Sequence, residues 1–286
     1  MIYVSSSCVK AQTIKESIEI LVSHGFRNIE LSGGTSYYPE IEDDLLDLKS
    51  KYDLNYLCHN YFPPPQQDFV LNLASLDNQI YQKSLLHMQN LIELSSRLDA
   101  KQLGFHAGFF ININANELGK AVMAQEIEDS VIATQRFCDA YRILEEHALK
   151  FDVRLYIENN VYALKNALRY NYKEVFMLTS FSAFQKLQSK IDFKPLVDLA
   201  HLKVSANVLK KDFHAEAEKF LSLTDYIHVS DNDGDSDLNW SIHEESEIYT
   251  ALQNHNIQNK TITLEIYQSL EKIQESYSLL EGLIHD

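Results

Sequence analysis

The sequence has little glycine, proline or cysteine, and each shortage excludes a class of protein. Its 286 residues include only 8 glycines and 5 prolines, and three of the prolines are consecutive in "FPPP". The chain therefore offers no glycine- or proline-rich linker, and we expect one domain over residues 1–286. No G-x-G-x-x-G or G-x-x-x-x-G-K-[ST] motif follows any of its apolar runs, which excludes the usual loops for dinucleotides and nucleoside triphosphates.

The three cysteines, Cys8, Cys58 and Cys138, are too far apart in sequence for a zinc knuckle or a redox pair. Scattered cysteines, odd in number, are typical of a reducing compartment, and we interpret them as small buried hydrophobic residues. The stretch "MIYVSSSCVK" lacks the basic start and long apolar middle of a secretory signal, and no apolar run reaches the roughly 20 residues that span a bilayer. We therefore expect a cytoplasmic protein without a membrane segment.

Basic residues are also scarce relative to acidic ones. The chain has 25 lysines and arginines against 41 aspartates and glutamates, which gives a formal charge of -16. The averaged field of such a protein repels phosphate groups. The composition thus disfavours nucleic acid and anionic membrane surfaces as partners.

What the sequence does contain is a repeated alternation of two patterns. Eight short β-branched and aromatic runs, from "IYVSSS" to "ITLEIY", are separated by longer segments with apolar residues at helical spacing, such as "YQKSLLHMQNLIELSSRL". Alternating strands and helices predict a parallel sheet, and eight repeats are the number that closes a (β/α)8 TIM barrel. We therefore predict an α/β fold of this type, with an open doubly wound sheet as the competing arrangement.

Catalytic groups of such barrels lie at the C-terminal ends of the strands. In this sequence those ends are rich in side chains that bind metals. They are Glu30, His59, His106, Glu158, Asp198, His201, His228, Asp231 and Glu265.

Taken singly, each of these residues has an ordinary structural role, because a lone histidine is usually hydrogen-bonded and a lone carboxylate often caps the next helix. The runs "YIENN", "LVDLAH" and "TLEIY", however, each place a carboxylate inside an apolar strand, where burial requires a partner. Three anions that meet in one barrel mouth repel unless a cation lies among them or protons are shared. A divalent metal is the simplest resolution, and without thiolates Mn²⁺, Co²⁺, Mg²⁺ and Zn²⁺ all suit the set.

The stretch "TDYIHVSDNDGDSDLNW" ends the seventh run in a cluster of aspartates. A calcium-binding EF-hand loop that starts at Asp233 would have leucine where the loop requires glycine, and a strand precedes it. We interpret the later aspartates as a solvated turn. His228 is predicted to be a strand-end ligand with Asp231 as its neighbour in the pocket.

These residues together resemble the xylose isomerase-like TIM barrel superfamily, which includes sugar epimerases and isomerases, inosose dehydratases and endonuclease IV. The resemblance is carried by "YIENN", by "DLAH", by "HVSDND" and by "LEIY", and it covers nearly the whole chain. In the epimerase branch one divalent metal is bound by four side chains. The resemblance assigns this role to Glu158, Asp198, His228 and Glu265.

The resemblance also implies a mechanism. Glu158 and Glu265 would lie on opposite faces of a substrate carbon and exchange its proton, while the metal polarises the neighbouring carbonyl and stabilises an enediolate. His201 resembles a histidine that contacts a substrate oxygen.

Endonuclease IV uses three zinc ions, and its further ligands correspond here to His59, His106, His201 and Asp237. Asn239 stands where that family has another histidine, which weakens a third metal site. Together with the charge of -16, this disfavours a repair nuclease. His59 and His106 leave a second metal open, although one metal is favoured.

Two further residues keep two interpretations each. Glu30 in "IELSGGTSYYP" is expected to have an exposed carboxylate that either contacts substrate or caps the loop turn. Trp240, the single tryptophan, either stacks on a sugar face or anchors the seventh loop.

The function that follows is a divalent-metal-dependent isomerase or epimerase of a small sugar or sugar derivative. A dehydratase of a keto-sugar or cyclitol would use the same metal and the same first step, and an endonuclease IV-like AP endonuclease is the second class. A non-catalytic sugar-binding barrel would be expected to have lost a base, whereas both Glu158 and Glu265 are present. We expect a monomer or a homodimer.

Overall fold

Eight parallel strands close into a barrel in the computed structural model, which describes residues 1–117, 122 and 126–285. Each strand pairs with the next along the chain, and the first pairs with the last. The prediction of an α/β (β/α)8 TIM barrel is confirmed. The strands are β1 (Ile2–Ser5), β2 (Asn28–Leu31), β3 (Asn55–His59), β4 (Gln102–His106), β5 (Arg154–Glu158), β6 (Lys194–Asp198), β7 (Tyr226–Val229) and β8 (Thr261–Leu264).

Helices lie outside the barrel between successive strands. Several begin at a side chain that accepts a hydrogen bond from the first turn: Thr13 and Glu16 form a capping box, and Asp77 and Asp129 each accept from two backbone amides. The described helices are α1 (Ile14–Ser23), α2 (Ile41–Tyr52), α3 (Asn78–Arg97), α4 (Ser130–Lys150), α5 (Leu164–Arg169), α6 (Phe181–Gln188), α7 (Leu199–Val208), α8 (Phe213–Leu221), α9 (Glu247–Gln253) and α10 (Leu270–His285).

Alternation along each strand sorts its residues between the helices and the barrel interior. Outward residues such as Val197, Ile227 and Leu264 belong to the main hydrophobic core under the helices. Inward residues stack in two layers. One buried cluster, which we call the tyrosine layer, consists of Tyr3, Leu57, Tyr156, Leu196 and Tyr226.

The second layer lies nearer the C-terminal ends of the strands, and we call it the mouth layer. Gly104 makes room for it, because a Cβ atom there would lie 2.9 Å from the His59 ring and 2.7 Å from the Leu196 side chain. The missing side chain in β4 therefore lets a histidine from β3 reach into the barrel. The mouth layer consists of His59, His106, Glu158, Asp198, His201, His228 and Glu265.

The three cysteines are free and buried, as the sequence predicts. Among the described residues, no helix is both long enough and apolar enough to cross a membrane.

Candidate metal centre

The four predicted metal ligands come together at the barrel mouth. His228 Nδ1 lies 3.7 Å from Glu158 Oε1 and 3.5 Å from Glu265 Oε2. One ligand atom each from Glu158, Asp198 and His228 falls within 4.8 Å of the other two. Three of the four side chains are completely buried, and Glu265 is 8% exposed. The strands β5, β6 and β7 thus bring carboxylate and imidazole ligand atoms to spacings that suit one divalent ion, and Glu265 lies beside His228.

Each of the three fully buried candidate ligands has one polar atom with a hydrogen-bond partner or close neighbour and another atom without a partner. Glu158 Oε2 lies 2.6 Å from His59 Nε2, and Asp198 Oδ1 accepts from the His201 backbone N–H at 2.7 Å. Among the described residues, Glu158 Oε1, Asp198 Oδ2 and His228 Nδ1 have no hydrogen-bond partner. Buried polar atoms are rarely left unpaired, so these atoms fit a divalent cation between them.

Glu30 orients His228 from below. The expected exposed carboxylate is instead fully buried, because Glu30 lies on the inward face of β2. Its Oε2 accepts from Thr263 Oγ1 at 2.6 Å and from the Tyr226 hydroxyl, and it lies 3.2 Å from His228 Nε2. A carboxylate there favours a proton on Nε2, which leaves Nδ1 free to bind a metal.

The pKa directions show how the mouth layer balances its charge without a cation. Burial alone would raise the pKa of Glu158, but His106, His59 and His228 hold it well below its usual value. Burial opposes the charged form of His228 too, yet Glu30, Glu265 and Glu158 raise its pKa well above the usual value. Protons on His59 and His228 therefore offset the carboxylates, and a divalent ion would replace them.

Asp198 and Glu265 are shifted in opposite directions. Burial raises the pKa of Asp198 to about 7 despite the nearby His201. Burial also opposes ionisation of Glu265, but the charge and hydrogen bond of His228 outweigh it and lower the pKa to about 2. Glu265 is therefore ionised at neutral pH, whereas Asp198 gains most from a cation.

A second group of ligands adjoins the first. His59 Nε2 and His106 Nδ1 lie 2.6 Å and 3.4 Å from Glu158 Oε2, and the three side chains could hold a metal ion. Burial lowers the pKa of His106 to about 4, so its ring is neutral and its Nδ1 has no hydrogen-bond partner among the described residues. Glu158 is common to both groups of candidate ligands.

His201 and Asp237 meet at the edge of the mouth layer. His201 Nδ1 lies 2.9 Å from the Asn159 carbonyl, and its Nε2 lies 3.3 Å from Asp237 Oδ2. Asn239 lines the same cavity in left-handed backbone geometry, with φ of 48°. Asn239 stands where the nuclease pattern has a histidine. Its side chain is an amide, which is a poorer metal ligand than an imidazole.

The structure places Asp231 and Trp240 away from the mouth layer. The Asp231 carboxylate accepts from Lys203 Nζ on α7 at 2.8 Å, and the Asp231 and Trp240 backbones bond each other at 2.8 Å. Trp240 is 41% exposed. Farther along the loop, Asp233 Oδ1 accepts the amides of Asp235 and Ser236, which is the turn that the sequence predicts.

The two asparagines that follow Glu158 hold the site together, a role that the sequence pattern did not reveal. Asn159 exchanges hydrogen bonds with the Asp198 backbone at 2.8 and 3.0 Å, which fixes the end of β6. Asn160 donates to the carbonyls of Ala107 and Met177, both at 2.9 Å. Two consecutive amides after a buried strand were the available signal, because both must find partners when buried.

A cavity of about 1010 Å³ opens above the mouth layer. Its floor includes His59, His106, His201 and Glu265, and Asp237 lies on its wall. The volume lies at the upper end of the roughly 300–1,000 Å³ of small-molecule sites. The fold is therefore a TIM barrel. The buried carboxylates and histidines beneath its cavity form a candidate divalent-metal site.

Comparison with known proteins agrees with this class. The sequence profile of the family described as xylose isomerase-like TIM barrel matches residues 18–283, and the chain belongs to that family. An uncharacterized protein of Methanocaldococcus jannaschii is 23% identical over 229 residues, which are 79% of this chain and 74% of the relative.

Solved structures share the fold over nearly the whole chain. A D-tagatose 3-epimerase-like protein matches with a TM-score of 0.75 and 17% identity, covering 99% of this chain and 97% of its own. Endonuclease IV from Thermus thermophilus matches with a TM-score of 0.59 and 13% identity, covering 98% of this chain and 99% of its own. Epimerases and a nuclease thus share this barrel, and the side chains at its mouth must decide between them.

Proposed function

We propose that this protein is a divalent-metal-dependent isomerase or epimerase that moves a proton next to a carbonyl of a small sugar or sugar derivative. One observation carries the proposal: Glu158 Oε1, Asp198 Oδ2 and His228 Nδ1 are buried, close together and unpartnered among the described residues. With Glu265 they form a set of ligands for a hard or borderline cation, for which we name Mn²⁺, Co²⁺, Mg²⁺ or Zn²⁺.

The same residues can handle a proton. When bound, a divalent cation would polarise a substrate carbonyl and the adjacent hydroxyl, and it would stabilise the negative charge of an enediolate. Glu265 lines the cavity, so its carboxylate is the one placed to accept a proton from the carbon beside that carbonyl. Glu158, from β5, would return a proton to the carbon from the other side, or the two glutamates would exchange these roles.

A small carbohydrate is the proposed substrate class, because sugar epimerases are among the proteins that share this barrel. A dehydratase of a keto-sugar or cyclitol would use the same cation and the same proton abstraction, and it is an alternative within the proposal. The abstraction step is common to both, so product analysis distinguishes them.

A nuclease is the second candidate, and one observation favours it. His59, His106 and Glu158 could hold a second ion, as a multinuclear phosphodiesterase would need. Against it, the formal charge of -16 opposes binding to duplex DNA, and Asn239 stands at the third site. We therefore favour one metal ion and the sugar reaction.

We also propose that residues 1–286 form one domain, because the strands that close the barrel run from Ile2 to Leu264. A cytoplasmic monomer or homodimer remains our prediction.

The test begins with the metal. Protein purified without chelator is expected to contain a divalent ion by elemental analysis, and re-addition of Mn²⁺, Co²⁺, Mg²⁺ or Zn²⁺ to stripped protein should raise its melting temperature. No bound metal, together with no thermal shift from any of the four ions, would refute the proposal.

The reaction is tested by deuterium uptake from heavy water into a panel of ketoses, aldoses and nucleotide sugars. Glu265→Gln should retain much of the metal affinity and lose the exchange, since an amide cannot accept the proton. Full exchange by this variant would refute Glu265 as a base. Metal-dependent nicking of abasic duplex DNA without sugar exchange would favour the nuclease.

A further inference from the structure

One polar side chain lines the cavity with no partner and no role in the mouth layer. Asn60 is 1% exposed, and among the described residues neither its Nδ2 nor its Oδ1 makes a hydrogen bond. The buried Asn159 and Asn160, by contrast, bond the backbone around them. A buried amide without partners needs a ligand that offers both donors and acceptors.

The backbone around Asn60 is shaped to present this amide. Its own N–H donates to the Gly104 carbonyl at 2.9 Å, so strand pairing extends to Asn60. Tyr61 then adopts left-handed geometry with φ of 67°, which is uncommon for an aromatic residue. The abrupt turn at Tyr61 follows directly after Asn60, which lines the cavity.

The neighbouring loop supports this turn and adds a second unpartnered group. Gly33 packs against Tyr61, since a Cβ on Gly33 would lie 3.0 Å from the Tyr61 Cβ. Two residues later, Thr35 lines the same cavity, and its Oγ1 is buried without a hydrogen-bond partner among the described residues. The loops after β2 and β3 therefore each contribute a residue to the lining of one cavity, and both residues carry buried polar atoms without a partner among the described residues.

The chemistry of these groups selects the ligand. Asn60 offers two N–H donors and an acceptor oxygen, and Thr35 offers a hydroxyl that does both. A phosphate only accepts and would leave Asn60 Oδ1 unmatched, whereas a cation would leave the N–H groups unmatched. Sugar hydroxyls donate and accept, so they can satisfy every atom.

We propose that Asn60 and Thr35 form a hydroxyl-binding subsite that determines which sugar enters the cavity. The inference rests on the proposed function and names the part of the molecule that reads the substrate. The same cavity is also lined by three apolar side chains, Phe109, Val161 and Phe176, which we call its apolar wall. Because Asn60 and Thr35 differ in polarity from this apolar wall, the sugar binds in one orientation, with hydroxyls toward Asn60 and Thr35.

The experiment measures affinity by calorimetry on Mn²⁺-loaded protein, with D-tagatose, D-fructose and D-psicose as probes and single-deoxy analogues of the best binder. In the wild type, removal of one particular hydroxyl should weaken binding about tenfold, because the amide is left unpaired. In Asn60→Leu, which matches the volume without polar atoms, the same deoxygenation should change the Kd less than about twofold. Thr35→Val tests the Thr35 hydroxyl, which lies in a loop, by the same comparison of parent and deoxy sugars.

Two controls separate this role from a structural one. Mn²⁺ affinity of Asn60→Leu should equal that of the wild type, which shows an intact mouth layer. Val161→Ala, on the apolar wall, should weaken parent and deoxy sugars by the same factor.

An equal loss for every deoxy analogue in wild type, Asn60→Leu and Thr35→Val would overturn the subsite. Absence of binding by all three sugars to the Mn²⁺-loaded wild type would overturn the subsite and the sugar substrate class together. Hydroxyl-dependent binding without deuterium exchange would leave the subsite standing and refute only the proposed reaction.

Discussion

The tyrosine layer and the mouth layer lie one inward position apart on β3, β5, β6 and β7, yet their polar atoms are paired in one layer and partly unpaired in the other. In the tyrosine layer the Tyr156 hydroxyl accepts from Gln102 at 2.9 Å, and Gln102 accepts in turn from Thr261 at 2.9 Å. In the mouth layer, buried oxygen and nitrogen atoms face one another unpaired among the described residues. One layer pairs its polar atoms internally, whereas the next leaves several of them for the cation that we propose.

The energetic consequence differs accordingly. Tyr156 and Tyr226 pack edge to face with ring centroids 5.2 Å apart, an arrangement that contributes about 0.5–1.5 kcal/mol beyond burial. Buried carboxylates without a cation each cost several kcal/mol before protons or metal offset them. The barrel therefore stabilises its mouth from the layer below.

The largest expected effect comes from Glu158→Gln in the mouth layer. Glu158 is shared by both groups of candidate ligands, and the substitution removes its negative charge. We therefore expect activity to fall by at least about 10²–10⁴-fold and most of the metal affinity to be lost. The thermal shift caused by Mn²⁺ should vanish, whereas the melting temperature of metal-free protein should stay within a few degrees. Scanning calorimetry with and without Mn²⁺ measures both, and strong destabilisation of the metal-free variant would contradict the comparison.

The opposite result is expected from Leu196→Ala in the tyrosine layer. Leu196 is completely buried, so truncation should cost about 2–5 kcal/mol of the free energy of unfolding. The Mn²⁺ affinity of the folded variant should change less than about threefold. Urea denaturation measures the loss of stability, and metal titration measures the Mn²⁺ affinity. A tenfold weaker affinity would mean that the two layers are energetically coupled.

Glu30→Gln tests the contact that joins the layers. The amide oxygen can still accept from Thr263 and Tyr226, but it holds His228 Nε2 less strongly. We expect metal affinity to fall about 10–100-fold with little loss of stability. Tyr226→Phe is the matched control, because it removes a Glu30 partner without touching His228, and it should have the smaller effect on metal binding.

The smallest expected effect concerns how stability depends on pH. It separates the contribution of a helix histidine from that of the mouth layer. His87 lies on α3, and burial lowers its pKa from 6.5 to about 4. Between these values only the unfolded chain binds the proton, so stability falls as pH falls, by roughly 2 kcal/mol at about pH 5. His87→Leu should remove that part of the pH dependence in urea titrations. An unchanged slope would assign the acid sensitivity elsewhere.

The sequence allowed prediction of the barrel and of which strand ends carry the side chains that meet at its mouth, because both follow from periodicity along the chain. Inward alternation from Tyr226 and His228 also puts Asp231 on the outer side, a signal available in the sequence. The same alternation places Glu30 inside the barrel. The direction of a side chain at a strand end was therefore predictable, although its partner was not.

Asn60 marks the limit of such reasoning. Its exposure to the cavity depends on the left-handed Tyr61 and on close packing by Gly33, which is distant in sequence. Neither periodicity nor composition encodes that contact. Trp240 keeps both of its interpretations, since its backbone pairs with that of Asp231 in the seventh loop and its side chain is 41% exposed.

Asp198 has a consequence for how this protein can change over evolution. One of its oxygens caps α7 through the His201 N–H at 2.7 Å, and the other faces His228 and Glu158 at the mouth. A substitution here removes a helix cap as well as a ligand, and caps are worth about 0.5–2 kcal/mol. Descendants that abandon the metal would thus still be selected to keep this aspartate. Its presence alone in a relative therefore says less about activity than the presence of His228.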